Sequence, residues 1–336
     1  MKLEKISLTN FRNYKKKEFE FVDGINLITG ANGTGKTNLL EALLFASTTA
    51  SHRTSNKRIL IKNGEESGRV KAFLCGEEGR FNLEIITSVS GGTSAKINSN
   101  RVKNGEILSS FPAVIFSPED IEVIKGSRSG IRRMVNINIC QISPGYIDLL
   151  IKYGKVLRER NALLKGNAGG GSLAVWTTLL RESSGEIDRA RQIFIDKINE
   201  SALELSPVFG LSETVSINYR LSGYTENAGL RDEESGFTTW GAHRAGFYFQ
   251  LGGRDLKDEG SRGEARISAL IYRFAFRQML EAETGKAPII LMDDVFSELD
   301  SVKRRLIAEK LREGQVIFTA TEKPEELEEA DNVIAL

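Results

Sequence analysis

The chain has 336 residues, 40% apolar and 27% charged, enough for one large core or two lobes sharing one. Its 46 basic and 45 acidic residues leave a formal charge of +1, so any surface for nucleic acid must be local. Two cysteines, Cys75 and Cys140, exclude a disulfide framework, and no apolar run nears the roughly 18 residues of a membrane span.

The start, Met1-Lys2-Leu3-Glu4-Lys5, is no signal peptide, so a cytoplasmic protein without a membrane partner is expected. Leu3, Ile6 and Leu8 alternate with polar residues as in a strand, and Glu18–Phe21 and Ile25–Ile28 read as two more. Gly30–Thr37 follows directly, and Asn38–Ser47 continues as an apolar helical run. Val70–Cys75, Phe81–Thr87 and Ser94–Ile97, separated by turns rich in glycine, suggest an antiparallel meander. Helical periodicity then covers Ile131–Ile142, Gly145–Leu164 and Leu173–Leu205, broken by a flexible Gly166–Ser172 link. Thr214–Arg220 and Gly246–Leu251 look like strands around a polar, mobile stretch at Gly223–Gly236. Glu264–Glu283 reads as a helix and Pro288–Met292, apolar throughout, as a buried parallel strand. Val302–Arg312 (helix) and Gln315–Thr319 (strand) close the pattern. An α/β nucleotide core therefore opens the chain, is interrupted by helices, and resumes near residue 260.

Gly30-Ala31-Asn32-Gly33-Thr34-Gly35-Lys36-Thr37 fits G-x-x-x-x-G-K-[ST] between a strand and a helix. Glycines let backbone N–H groups face phosphate oxygens, and the helix N-terminus adds its positive end. Lys36 would reach the β- and γ-phosphates of ATP, and Thr37 would ligate Mg²⁺. Asp293 and Asp294, after the buried strand, fit the Mg²⁺ shell and a base or water-positioning group respectively. Ser261-Arg262-Gly263 precedes a helix; on spacing alone it is an N-cap, though such a turn can also hold a γ-phosphate. Because the P-loop already cradles its own nucleotide, that phosphate would belong to another subunit. His52 and His243 are too isolated for a zinc site; His243 fits either a structural hydrogen bond or a nucleotide or interface contact. Trp176 and Trp240 read as packing residues.

The order of P-loop, insertion, Ser-x-Gly turn, Asp pair and Ser297-Glu298-Leu299-Asp300 resembles ABC-type ATPases of the chromosome-maintenance kind. More narrowly the chain resembles the bacterial RecF family along nearly its whole length. The stretches that carry this are Asn10-Phe11-Arg12-Asn13-Tyr14, Gly35 to Ala42 (with Asn38), Ser51-His52-Arg53-Thr54, Phe116 to Asp120, Arg158 to Leu164 and Asp293 to Asp300. The resemblance implies an ABC-type P-loop ATPase core with an antiparallel β subdomain and an inserted helical lobe. Residues 1–125 and 241–336 would be the core halves and 126–240 the insertion. It further implies an ATP-dependent homodimer that binds duplex or gapped DNA, hydrolyses ATP slowly, and works with RecR- and RecO-like proteins to load recombinase. By the same resemblance Arg12 lies near the nucleotide, Ser261 and Gly263 contact the partner's γ-phosphate, and Asp300 lies at the dimer face.

The chain departs from the family twice. Gly241-Ala242-His243-Arg244-Ala245-Gly246 stands where the family carries Gly-Pro-His-Arg-Asp-Asp, and Arg262, Glu264 and Ala265 replace three glutamines. Glu264 puts a carboxylate beside an expected anion site. Eight basic residues between Arg128 and Lys165 (Arg128, Arg132, Arg133, Lys152, Lys155, Arg158, Arg160, Lys165) and a second set at Arg53, Lys57, Arg58 and Lys62 are candidates for sequence-neutral phosphate contacts, or else solvated faces. The competing functional reading is a nucleotide-sensing scaffold that recruits partners with little ATP turnover. A long coiled coil is disfavoured, since the insertion shows no sustained heptads.

Overall fold

The computed structural model describes residues 1–77, 79–90, 92–108, 110–166, 172–312 and 314–336. The expected glycine link falls largely outside the described residues. Strands β1 (Lys2–Phe11), β2 (Tyr14–Glu20) and β3 (Ile25–Thr29) lead into helix α1 (Lys36–Thr48). Then come β4 (Ser67–Gly76), β5 (Gly79–Ser88), β6 (Gly92–Ile97), β7 (Asn100–Val102), the short α2 (Asn104–Leu108) and β8 (Ala113–Phe116). A helical stretch follows: α3 (Glu119–Lys125), α4 (Arg128–Ile142), α5 (Tyr146–Leu164) and α6 (Leu173–Val208). Next are β9 (Val215–Arg220), α7 (Glu226–Ser235), β10 (Gly246–Leu251), β11 (Arg254–Asp255) and α8 (Arg262–Thr284). The chain closes with β12 (Ile289–Asp293), α9 (Ser301–Leu311), β13 (Val316–Ala320) and β14 (Asn332–Ala335).

The centre is a parallel sheet in the order β14-β3-β13-β12-β8. Side chains of a strand alternate between faces, and here each face buries its own set. Ile289, Leu291, Ile115 and Ile317 join α1 and the six-stranded antiparallel sheet β2-β1-β4-β5-β6-β7 in one apolar cluster. Met292, Phe116, Phe318 and Ile290 point the other way, into a cluster shared with α4, α5, α6, α8, β9 and β10. The inserted helices are thus rooted in the sheet itself. Helix α1 lies between the two sheets and is buried on almost every side, which is why its sequence is apolar all round.

Two strands are absent from the sequence reading, and one expectation needs correction. The strand β8 goes unrecognised in the sequence because only four apolar residues mark it, yet it pairs with β12 and completes the parallel sheet. The terminal β14 also joins that sheet, beside β3. The stretch Gly223–Gly236, expected to be mobile, contains α7, capped by the Thr225 hydroxyl, which accepts from Ala228 N–H, and by Gly236 at φ 71°. Asp232 on α7 is fully buried and accepts from Thr239 N–H, the Thr239 hydroxyl and Trp240 Nε1–H at 2.7–2.8 Å.

Candidate nucleotide site

The P-loop connects β3 to α1. Gly33 and Gly35 adopt φ of 85° and 113°, a region that costs other residues dear. At Gly35 there is a second reason: a Cβ would lie 2.6 Å from Asn13 Nδ2 and 2.7 Å from the Tyr14 hydroxyl. The turn between β1 and β2 clamps the loop from outside. Asn13 Nδ2 donates to Thr34 O (3.2 Å), and Tyr14 donates to Gly35 O (3.1 Å). Asn38 Nδ2 donates to Asn13 Oδ1 at 2.9 Å, so the first turn of α1 is tied to the same clamp.

Lys36 folds back over the loop, its Nζ donating to Gly30 O at 2.5 Å and Ala31 O at 3.0 Å. An ammonium held by two neutral carbonyls, at the mouth of a ring of backbone amides, is poised for an anion. One residue on, the Thr37 hydroxyl donates to Asp293 Oδ1 at 3.1 Å, joining the P-loop to the end of β12. Thr319, at the end of β13, donates to the same oxygen at 2.7 Å. Burial pushes the Asp293 carboxyl above the ordinary aspartate range, and Asp294 adds to this; the Thr319 and Thr37 hydroxyls oppose it. A divalent cation would remove that penalty, and a threonine hydroxyl beside a carboxylate is the hard oxygen set Mg²⁺ takes. Asp294 occupies the left-handed region (φ 48°), held there by its N–H donating to Thr319 O at 3.1 Å.

Among the described residues no hydrogen bond joins Arg12 to Lys36, Thr37 or Asp293. Arg12 Nε and Nη2 each donate at 2.7 Å to the carboxylate of Glu41, on α1 and wholly buried. The Ser51 hydroxyl donates to Glu41 at 2.5 Å, and Arg53 lies 3.6 Å away. A buried carboxylate needs a paired, hydrogen-bonded cation, and Glu41 claims Arg12 for that purpose. Arg53 also reaches Asn38 Oδ1 (3.1 Å) and Glu119 (3.4 Å), linking the P-loop helix to α3. Burial by itself would raise the Glu41 carboxyl, but the bonds from Arg12 and Ser51 outweigh it and hold it below the usual glutamate value. A depressed carboxyl stabilises the fold fully above its unfolded pKa of about 4.3 and loses that as pH falls through the lower folded value. Thermal melts between pH 6 and 3 should therefore show a steeper loss for the native chain than for Glu41→Gln. Parallel curves would contradict the assignment.

Ser261 and Gly263 open α8, both exposed. The Ser261 hydroxyl accepts from Glu264 N–H (3.1 Å) while Glu264 Oε2 accepts from Ser261 N–H (2.7 Å), a reciprocal capping box. Among the described residues no hydrogen bond joins this turn to the P-loop. His243 is hydrogen-bonded within the fold: Tyr153 OH lies 2.7 Å from its Nδ1, Thr238 O 3.3 Å from its Nε2, and burial lowers its pKa to about 4. Of the eight candidate basic residues Arg160 is only 2% exposed and pairs with Asp232 at 2.7 Å, so it is not available to a phosphate backbone. Arg133 donates through Nη2 to Ser51 O and Thr54 O, and Arg132 through Nη1 to Ala245 O, so one amino group of each is turned inward to backbone. Sign and spacing alone give no hint of these inward partners. Thr319, Asn13 and Glu41 are likewise contributors that residue type does not single out; Asn13 and Glu41 lie within stretches shared with the RecF family, while Thr319 is a single hydroxyl at a strand end.

The model of the RecF/RecN/SMC N-terminal domain matches residues 2–336. Among similar proteins are the DNA replication and repair proteins RecF of Clostridium botulinum (strain Eklund 17B / Type B), 33% identical over 96% of this chain and 93% of theirs, and of Acetivibrio thermocellus, 35% identical over 96% and 94%. The solved structure of the recombination mediator protein RecF with ATP, in the RecFOR pathway, superposes with a TM-score of 0.88 at 34% identity, covering 96% of this chain and 92% of that one. Its counterpart described as RecF-ATPrS gives 0.87 at 33%, covering 100% and 96%. An Smc head bound to the C-terminal winged-helix domain of ScpA shares the fold, with a TM-score of 0.54 at 18% identity over 99% and 94%. Extent, identity and superposition agree, and the chain belongs to the RecF family of DNA replication and repair proteins.

Proposed function

We propose that this chain is an ATP-operated DNA-binding protein of recombinational repair. The observation that carries the reading is the cluster of Lys36, Thr37 and Asp293 at the junction of P-loop and β12, in a chain similar to RecF solved with ATP. The amides of Gly30 to Gly35 and the Lys36 ammonium would hold the phosphates, and Thr37 and Asp293 would hold Mg²⁺. Bound Mg–ATP would supply a γ-phosphate that a second subunit can grip and water can attack. Asp294 positions that water. On this reading residues 1–125 and 241–336 form the two halves of the ATPase core, and residues 126–240 the inserted helical lobe.

The second subunit contributes Ser261 and Gly263. Gly263 has ordinary helical geometry, and a Cβ there meets nothing nearer than Ser261 Oγ at 4.0 Å. The subunit's own fold therefore makes no demand for glycine at this position, which suits close approach by a group from outside. Gly263→Ala should leave the monomer as stable or up to about 1 kcal/mol more stable, yet weaken ATP-driven association. Denaturant unfolding together with sedimentation checks both halves; unchanged association would argue against the trans contact.

ATP closes two such subunits on duplex or gapped DNA through sequence-neutral contacts, and RecO- and RecR-like proteins act with them, as the RecFOR pathway of the solved relatives suggests. Sedimentation of the chain with ATP, with ADP and without nucleotide tests this directly. A dimer only with ATP is the expected result, and a monomer under all three conditions refutes the clamp.

One observation favours a second reading, a nucleotide-sensing scaffold with little turnover. Glu264 puts a carboxylate against the Ser261 turn, held there by Ser261 N–H and by Arg254 at 3.3 Å, where it competes with an incoming phosphate. ATP hydrolysis stimulated by duplex DNA would exclude a pure scaffold.

A further inference from the structure

At the end of α1 remote from the P-loop, about 18 Å along the helix axis, a cavity of about 650 Å³ opens between the loop after α1 and helices α4, α5 and α6. Part of its lining is cationic. Lys57, Arg132, Arg133 and Arg191 all line it, and among the described residues no carboxylate does. The guanidinium groups are held by neutral acceptors: Arg133 by Ser51 O and Thr54 O, Arg132 by Ala245 O, Arg191 by Ala242 O, Asn136 Oδ1 and the Tyr219 hydroxyl. Among the described residues Lys57 Nζ reaches only the Thr93 hydroxyl (3.2 Å) and the face of Phe45. A carboxylate close behind this lining, Asp188, is engaged by the Tyr219 and Ser184 hydroxyls.

Gathering cations in a part-buried space without counter-charge is unfavourable, and Lys57, Arg132 and Arg133 show it, whereas at Arg191 burial is outweighed by Tyr146 and Tyr219 and the group is raised. Burial lowers the Lys57 pKa, and Arg133 lowers it further; Arg132 is depressed by burial and then by Arg191 and Arg244. The α1 C-terminus directs the negative end of its dipole here, equivalent to about half a charge. Four full positive charges outweigh it. Ile137, Ile147, Leu150 and Ile187 add apolar lining, Ile137 one turn from Arg133 on α4 and Ile187 one turn from Arg191 on α6. A cavity of this size, lined by both charged and apolar side chains, has the proportions of a small-molecule site.

We propose that this cavity is a second phosphate site that takes a nucleoside monophosphate unit, its phosphate on Lys57, Arg132 and Arg133 and its base against the apolar lining. The unit arrives either as a free nucleotide or as the 5′-phosphorylated end of a DNA strand. This site stands apart from the ATP reading, and the test can keep the two separate. In full-length Lys36→Ala protein, titrated with dAMP by calorimetry, saturable binding is expected, and inorganic phosphate should compete. Adding Lys57→Gln and Arg132→Gln should weaken dAMP about tenfold or more, with thermal melting as the check on folding. Should the double variant melt early, Lys57→Gln alone, at a part-exposed position, serves instead. A duplex with a recessed 5′ end, phosphorylated or not, distinguishes the sources. A preference for the phosphorylated end that the variants abolish assigns the site to DNA; dAMP binding without that preference assigns it to free nucleotide. If the variants change neither, the proposal is overturned. Failure of native protein to bind ATP would leave this result untouched.

Discussion

Lys36→Ala is expected to lower ATP affinity about 10- to 150-fold, and with it to remove ATP-dependent dimerisation and retention of DNA. The size follows from the strength of the bonds between the ammonium and the phosphates. A charged hydrogen bond is worth about 1.5–3 kcal/mol net, and each 1.4 kcal/mol is tenfold in affinity. Without nucleotide the same ammonium closes the loop on Gly30 O and Ala31 O, so Lys36 has two alternative sets of acceptors and the variant can engage neither. Its effect on folding should stay small, because the loop keeps its glycine geometry and the clamp from Asn13 and Tyr14. Equilibrium binding of ATP and sedimentation velocity on the same preparation check the two halves. Native affinity in the variant would remove the P-loop from the mechanism. Dimerisation that survived weakened ATP binding would break the link between nucleotide and assembly, and would favour a constitutive scaffold.

How much of the molecule is legible in its sequence depends on how local each cause is. The P-loop is eight consecutive residues, and the all-apolar strand before Asp293 and Asp294 declares its own burial, so both halves of the nucleotide site are visible without coordinates. The partner of Arg12 is not. Glu41 looks like one polar position in an apolar helix, and only packing of α1 between two sheets reveals a buried carboxylate that must be neutralised. Helix α7 is hidden for the same reason: its composition is polar, and the bonds that fix it converge on Asp232 from Arg160, Thr239 and Trp240. Thr319 contributes one hydroxyl at a strand end, which no spacing rule marks. Charge runs mislead most, because Arg160 and Lys165 are both simply basic in the sequence, yet one is enclosed and the other exposed.

That difference makes Asp232→Ala a strongly damaging substitution outside the nucleotide site, at about 3–5 kcal/mol of unfolding free energy. Removing one partner of an enclosed ion pair leaves the other charged and unsolvated. Among the described residues Arg160 would keep only the Thr177 and Thr238 hydroxyls (3.0 and 2.8 Å) and the face of Trp240. The Trp240 indole and Thr239 would also lose their acceptor, and these losses together release α7 from α5. By contrast Arg158→Ala and Lys165→Ala, on the exposed side of the same region, should stay within about 0.5 kcal/mol of the native chain. Chemical denaturation of the three variants checks the ranking, and Asp232→Ala within about 1 kcal/mol of native would show that the pair is not isolated from water. The ranking bears on function as well. A loss of DNA binding in Arg160→Ala would report a collapsed helical region, whereas the same loss in Arg158→Ala or Lys165→Ala, with unfolding unchanged, would identify a phosphate contact.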